Sequence, residues 1–374
     1  MQIYKFIGLN DPLLIRMRHP EEYLHLKDDT QLFCNDSQGY IVRQDKAALK
    51  LGIDNQEKKE FLESIFSILK QGVNREVLYS KVSKQQKGYL TDIIASLRNQ
   101  DFFSDNSQLT KIKKSDLIRY SRQLNWLDIN IPSQSAYTSL NVIFHKKICI
   151  FGLGSLGSLL LMELAAFGFR NFIIIDKDKV EASNLNRQIL YTKKDINTPK
   201  VSAAKRWLNN FGKEIEVKAI KKDISSLDIL SETIESCDLL ILTADEPKGG
   251  IVLWTAELCA EKDIPWMRFS RMGIGPIYEK PTDACAACVL PQTTGILSEF
   301  QRLTNLSLNR RRAVIMSEVS LAISIAVHEV LLFILRGNKS LKNTVLTATP
   351  LSNSYALNKK KIRKHPRCVC AQKI

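Results

Sequence analysis

Lys147-Ile148-Cys149-Ile150-Phe151 runs directly into Gly152-Leu153-Gly154-Ser155-Leu156-Gly157, and a leucine-rich stretch then continues to Phe167-Gly168. A short apolar run bounded by glycine reads as a buried strand. The stretch after it reads as a helix, Ser155–Phe167, closed by Gly168, whose missing Cβ suits a left-handed residue after a helix. Asn171–Ile175 is a second apolar run and ends on Asp176. Strand, helix and strand so closely spaced predict a parallel βαβ unit. Further strands are expected at Glu216–Ile220, Leu239–Thr243 and Pro265–Phe269, with helices between them. The predicted fold class is α/β, a Rossmann-like, mostly parallel sheet covered on both faces.

The turn is a GxGxxG pattern between strand and helix. Glycines at Gly152, Gly154 and Gly157 let backbone approach phosphate, and the helix N-terminus adds amide donors and a favourable dipole. Asp176 lies about 20 residues further on, at a strand end, where a carboxylate can take ribose hydroxyls. This much reads only as a nucleotide site, and a dinucleotide dehydrogenase satisfies it. The following residues change the reading. Asp178, Glu181 and Ser183-Asn184-Leu185-Asn186-Arg187-Gln188 are unusually polar for a plain NAD site, and Thr198-Pro199-Lys200, Lys205 and Thr243-Ala244-Asp245 come after them. Arg187 and Lys200 can hold phosphate oxygens, and Asp245 can hold a magnesium ion bridging them. Together these groups stabilise charge developing at an α-phosphate under attack by a carboxylate.

Arg119-Tyr120-Ser121-Arg122-Gln123, Gly152–Gly157, Ile175-Asp176-Lys177-Asp178, Asn184–Gln188, Pro199-Lys200 and Ala244-Asp245 occur in one order over roughly residues 115–370. That order resembles the ubiquitin-activating-type adenylation family, which includes the ThiF and MoeB sulfur-carrier activators and peptide-modifying bacterial relatives. The resemblance implies an ATP–Mg2+ site, adenylation of a carboxylate, and a homodimer in which Arg122, from the RYxRQ motif, reaches the partner protomer's ATP. It assigns Gly154, Asp176, Asn184, Arg187, Gln188, Lys200 and Asp245 to nucleotide or magnesium contacts. Ser155 stands where many members carry glycine, and Glu246 where asparagine is common; neither change removes a charge the mechanism needs.

Cys285-Ala-Ala-Cys288 and Cys368-Val-Cys370 offer four thiolates from two knuckles, the donor set of a tetrahedral structural zinc. Redox chemistry is the rival for the first pair, and His365 can replace a thiolate if the tight CxC geometry fails. The family resemblance also implies zinc here. Cys34, Cys149, Cys237 and Cys259 fall in apolar or mixed segments and read as packing residues. Leu290–Arg312 contains no cysteine. Thioester-forming relatives place a nucleophile there, so the adenylate itself is expected to be consumed by an amide or another nucleophile.

Residues 1–105 read as a separate α+β module. Alternating apolar runs (Gln2–Leu9, Leu13–Met17, Gln31–Cys34) precede two helical faces, one of Phe61, Ile65, Phe66 and Leu69, the other of Tyr89, Ile93 and Leu97. Three strands with three helices suit a winged-helix-like domain, and the residues from Gln38-Gly39-Tyr40-Ile41-Val42 through Phe102-Phe103 resemble the leader-peptide recognition element of enzymes that modify ribosomally made peptides. Residues 106–145 are read as a linker and a helix carrying the RYxRQ arginine, and 146–374 as the adenylation domain. The whole arrangement resembles the peptide-modifying branch, the microcin C-type and pantocin A-type enzymes. The expected partner is a precursor peptide, and Arg268, Arg271 and Lys248 suit an acidic one. Activation of glutamate side chains for dehydrative cyclisation in antibiotic biosynthesis is the leading expectation. Activation of a peptide C-terminus, activation of a ubiquitin-like carrier, and a non-catalytic nucleotide- or DNA-binding regulator are the alternatives.

The chain has 374 residues and a formal net charge of +15, with 44% hydrophobic and 25% charged residues. Such a balance belongs to a globular protein of more than one unit with an acidic partner. Its basic residues are scattered, apart from Lys111–Lys114 and Lys359–Lys364, so no nucleic-acid partner is expected. Met1–Arg16 lacks the pattern of a signal peptide, and Val319–Leu335 falls short of the roughly 20 residues of a membrane span and reads as a buried helix. Eight cysteines without a secretion signal fit a reducing, cytoplasmic setting and no membrane.

Overall fold

A computed structural model describes residues 23–27, 30–35, 38–43, 47–104, 112–131, 134–270, 273–290, 315–337, 340–349 and 356–371. The expected strands at Gln2–Leu9 and Leu13–Met17, residues 106–111 of the expected linker, Arg271 and nearly all of the cysteine-free stretch Leu290–Arg312 lie outside the described residues. Packing divides the chain into two compact units, Met1–Asn141 and Val142–Ile374.

The first unit carries β1 (Tyr23–Leu24), β2 (Thr30–Asn35), β3 (Gln38–Arg43), β4 (Ala47–Gly52), α1 (Gln56–Gln71), β5 (Val73–Asn74), α2 (Arg75–Ser80), α3 (Gln86–Asn99), α4 (Lys114–Arg119) and α5 (Ser121–Asn130). The division falls within α6 (Ala136–His145). Strands β2, β3 and β4 form an antiparallel sheet in that order, and β1 pairs antiparallel with β5. Helix α1 starts where the Asn55 side chain accepts the Lys58 N–H at 2.8 Å, satisfying one of the free amides of its first turn. Its buried residues Leu62, Ile65, Phe66 and Leu69 recur at three- and four-residue spacing. They pack with Leu90, Ile93, Ile94 and Leu97 of α3 and with Leu24, Leu78 and Phe102. Phe61 and Tyr89, assigned to these faces from the sequence, sit at the rim with rings 6.0 Å apart.

The second unit is built on β6 (Lys147–Phe151), α7 (Ser155–Phe167), β7 (Asn171–Ile175), α8 (Lys200–Phe211), β8 (Glu216–Ile220), α9 (Leu227–Thr233), β9 (Leu239–Leu242), α10 (Gly250–Glu261), β10 (Trp266–Ser270), β11 (Gly273–Tyr278), α11 (Met316–Arg336), β12 (Thr344–Thr349) and β13 (Ala356–Lys361). One eight-stranded sheet runs β13-β12-β11-β10-β9-β6-β7-β8. Strands β10, β9, β6, β7 and β8 are parallel, and β11, β12 and β13 extend the sheet antiparallel. Phe151 is level with Ile175 on one side and with Leu242 on the other, and Leu242 is level with Arg268. The ends of β6, β7 and β9 therefore lie in one row, and Arg268, two residues before the end of β10, is level with them. Residues 151, 175 and 242 join Cys149, Ile173, Leu240 and Trp266 in a core shared with α9 and α10.

Helix α11 is the helix expected over Val319–Leu335, but it is longer than that apolar stretch. The apolar stretch Val319–Leu335 belongs to a helix of 21 residues, long and apolar enough by length and composition to cross a membrane. Its polar ends, Ser317-Glu318 and Arg336, continue the helix until Gly337 ends it in a left-handed conformation. Val319, Ile323, Ala326, Val327, Val330, Leu331 and Leu335 are buried, and the helix packs on α7.

Candidate nucleotide site and cysteine cluster

The glycine turn sits between the C-terminal end of β6 and the N-terminus of α7. Gly152 has φ +101, and a Cβ there would stand 2.6 Å from the Ala244 backbone nitrogen. A Cβ on Gly157 would stand 1.9 Å from the Gly152 carbonyl oxygen. These two glycines allow the turn to close on itself and on the end of β9. Gly154 differs, because a Cβ there would meet nothing within 4 Å. That open side faces away from protein, where backbone must come close to a ligand. Gly154 caps α7 without a side chain, so first-turn amides of the helix are left for an anion.

Several groups hold the turn. The Thr243 hydroxyl donates to the Gly152 carbonyl at 2.7 Å, and the Gly152 N–H donates to the Ile175 carbonyl at 2.8 Å. Asp176 is buried and accepts the Leu153 N–H at 2.6 Å and the Asp178 N–H at 2.8 Å. Burial raises its pKa, opposed by the positive charge of Lys200 and by these two amides. The hydroxyl of buried Tyr191 donates to the Leu153 carbonyl at 2.9 Å. Burial, and then the negative charge of Asp176, push that phenol well above its ordinary value, so it stays a donor.

The segment after β7 is tied back to the turn. Asn184 and Glu181 cap each other around a short helix, Ala182–Asn184, with the Glu181 N–H 3.1 Å from Asn184 Oδ1. The Asn184 carbonyl accepts the Arg187 and Gln188 amides, and the Gln188 carbonyl accepts the Tyr191 amide. Arg187 Nη1 donates to the Ser183 carbonyl at 2.7 Å and to Asn186 Oδ1 at 2.9 Å, while its buried Nε has no partner. Gln188 is buried with Oε1 unpartnered. Lys200 is buried, bonds Asp178 Oδ2 at 2.7 Å, and starts α8. Asp245 follows the end of β9 by three residues and is half-buried.

Gly152, Gly154, Gly157, Asp176, Asn184, Arg187, Gln188, Lys200 and Asp245 thus all belong to the second unit, at the ends of β6, β7 and β9 and the turns after them. Arg122 is exposed on α5 of the first unit. Residue-by-residue reading missed Tyr191, whose contact lies 38 positions away. The apolar Ile189-Leu190-Tyr191 inside a polar segment was the available sign of burial. The orphaned Gln188 Oε1 and Arg187 Nε, the bare helix N-terminus and the open face of Gly154 fit a nucleotide with its triphosphate.

The cysteine cluster lies elsewhere in the same unit. Cys285, Cys288, Cys368 and Cys370 are buried, and their sulfurs all lie within 4.8 Å of one another. Cys285 is 3.8 Å from Cys288 and 3.6 Å from Cys368, and Cys288 is 3.7 Å from Cys370. A tetrahedral ion with Zn–S bonds of about 2.3 Å needs sulfurs about 3.8 Å apart, so the four fit that ion and are far too distant for disulfides. Hydrogen bonding from Cys285, Cys368 and Cys370 lowers the Cys288 thiol below its ordinary value. The CxC pair takes its place without His365, whose Nδ1 instead accepts the Arg367 N–H at 3.2 Å. Cys149 and Cys259 are buried packing residues, as read from the sequence.

The ThiF family matches residues 120–370. The Escherichia coli (strain K12) sulfur carrier protein ThiS adenylyltransferase is 27% identical over 183 residues, covering 47% of this chain and 68% of the relative. Escherichia coli MccB, in a structure with succinimide, superposes with a TM-score of 0.68 at 19% identity, over 94% of this chain and 99% of MccB. A structure of PaaA superposes with a TM-score of 0.62 at 22% identity, over 73% of this chain and 92% of PaaA. With two thirds of its residues matched, the chain belongs to the ThiF family.

Proposed function

We propose that this ThiF-family chain is an ATP-dependent adenylating enzyme that activates a carboxylate of a ribosomally made precursor peptide, glutamate side chains above all, for dehydrative cyclisation in antibiotic biosynthesis. The observation that carries the reading is the turn at Gly152–Gly157, held by Asp176 and Tyr191 beside a buried lysine. In the reaction a carboxylate oxygen bonds to the α-phosphorus of ATP and the bond to pyrophosphate breaks, giving an acyl-adenylate. Amides of α7 and the Arg187 guanidinium take up the phosphate charge, and Asp176 and Gln188 hold the nucleoside. Lys200, bonded to Asp178, is assigned to a phosphate oxygen when the nucleotide is bound. Asp245 is the residue to hold Mg2+, which would neutralise charge on the departing pyrophosphate. Arg122 is assigned to the ATP of a second copy in a homodimer. The four cysteines hold a structural zinc remote from the chemistry.

The first unit is assigned to leader-peptide recognition. Its antiparallel sheet has β2 and β4 as outer strands among the described residues. An extended peptide binds such an edge by adding a strand. Structures of MccB with ATP and with N-formylated MccA, matching more than nine tenths of this chain, support a nucleotide-and-peptide reading. The peptide's C-terminus is the second substrate position. Product analysis with MgATP and a synthetic glutamate-containing peptide tests both. AMP and pyrophosphate formation supports adenylation, and ADP formation opposes it. Retained turnover with a C-terminally amidated peptide points to side chains, and lost turnover to the terminus.

A further inference from the structure

Arg268 is a half-buried cation in β10 with no hydrogen-bond or ion-pair partner among the described residues, and its Nε is buried without an acceptor. Burial alone lowers its pKa, with no carboxylate opposing the shift. An arginine taken out of water without an anion is costly, and such a group in a native fold calls for an anionic ligand. Its place in the sheet says which one. Arg268 is level with Leu242, and Leu242 with Phe151, so it lies two strands, about 10 Å, from the start of the glycine turn. In-register residues share a face, which puts Arg268, two residues before the end of β10, on the side of Phe151 and Leu242 and level with the ends of β6 and β9, the edge where ligands bind in open α/β sheets.

The other charges along that edge are already distributed. Asp176 follows β7, the glycine turn and the α7 amides follow β6, and Asp245 follows β9. Nucleoside, phosphates and metal-binding carboxylate thus run in order along the sheet, and β10 is the next strand. The phosphates have amides, Arg187 and Lys200, all on the β6–β7 side. What lacks a counter-charge is the carboxylate that must meet the α-phosphate. We propose that Arg268 receives the carboxylate of the acyl substrate and aligns it for attack, a role that rests on the adenylation reading above.

The test uses the full, zinc-loaded chain, with glutarate as the carboxylate probe and α,β-methylene-ATP with Mg2+ as the nucleotide. Calorimetry should show glutarate binding to the nucleotide-loaded protein. Arg268→Gln should weaken it at least tenfold, Arg268→Lys should restore part of it, and the affinity for the nucleotide should not move. Unchanged zinc content and melting temperature in both variants certify the fold. Absent glutarate binding, or equal binding by wild type and Arg268→Gln, overturns the proposal while leaving adenylation standing. Loss of nucleotide affinity in Arg268→Gln overturns it in favour of a phosphate ligand. Failure of the wild type to bind the nucleotide at all sinks the adenylation reading and this inference with it.

Discussion

The Asp176 carboxylate accepts the Leu153 backbone N–H at 2.6 Å, so the residue at the end of one strand fixes the glycine turn after its neighbour. Tyr191 grips the carbonyl of the same residue at 2.9 Å. Leu153 is thereby held at both polar atoms by side chains 23 and 38 positions away. The turn that must meet phosphate is set in place before any ligand arrives.

Tyr191→Phe removes one of these two grips and leaves a buried carbonyl without its donor. The expected cost is about 1 kcal/mol, a fall in melting temperature of roughly 2–4 °C for a unit of this size. ATP affinity should fall several-fold, because the turn loses its fixed position. Calorimetry of ATP binding checks this; unchanged affinity would remove Tyr191 from the account of the site.

Gly154 and Gly157 should behave oppositely. In Gly157→Ala the new methyl collides with the Gly152 carbonyl, so the protein should lose several degrees of thermal stability or fail to fold. In Gly154→Ala the methyl enters open space, so melting should stay near wild type while ATP binding weakens at least tenfold. Thermal melts and ATP titrations on both variants separate the two roles.

Asp195 supplies a pH signature. Burial alone would raise its pKa, but the Thr192 N–H and hydroxyl and the Arg206 guanidinium more than offset that, and the net shift is downward. A carboxyl held lower in the folded than in the unfolded chain stabilises the fold above the unfolded pKa, about 4. That contribution fades as pH falls through the folded value. Asp195→Asn should therefore cost about 1–3 kcal/mol at pH 7, and melts of the two proteins should converge below pH 4.

Cys288→Ser should lower bound zinc from one ion per chain to well under one, with a clear loss of melting temperature. Elemental analysis and melts with and without chelator measure both. A full complement of zinc in the variant would show that this sulfur is not a ligand.

Much of this architecture is legible in the sequence where local signals agree. Lys147–Phe151, Ser155–Phe167 and Asn171–Ile175 are found at the expected limits, because apolar runs flanked by glycine and a left-handed Gly168 leave little choice. The antiparallel extension is different. β13 reads Ala-Leu-Asn-Lys-Lys-Lys, a basic run resembling a solvated patch, yet it forms the outer strand of the sheet. Lysines on an edge discourage pairing with another chain, and the feature that hides the strand from pattern reading also protects it. Gly273–Tyr278 is broken by Gly275-Pro276 and loses its alternation. In the candidate site, the charged residues stand out in the sequence because each is of a type that can meet phosphate, ribose or magnesium. Tyr191 does not, since its task depends on a contact that only the fold creates.

The central claim is reversible adenylation, and exchange of labelled pyrophosphate into ATP measures it directly. With MgATP and an acetylated glutamate-containing peptide, wild-type protein should move label from pyrophosphate into ATP only when the peptide is present. Asp245→Ala should abolish the exchange. Label that stays in pyrophosphate in the presence of peptide, or turnover that yields ADP and phosphate, would contradict the account.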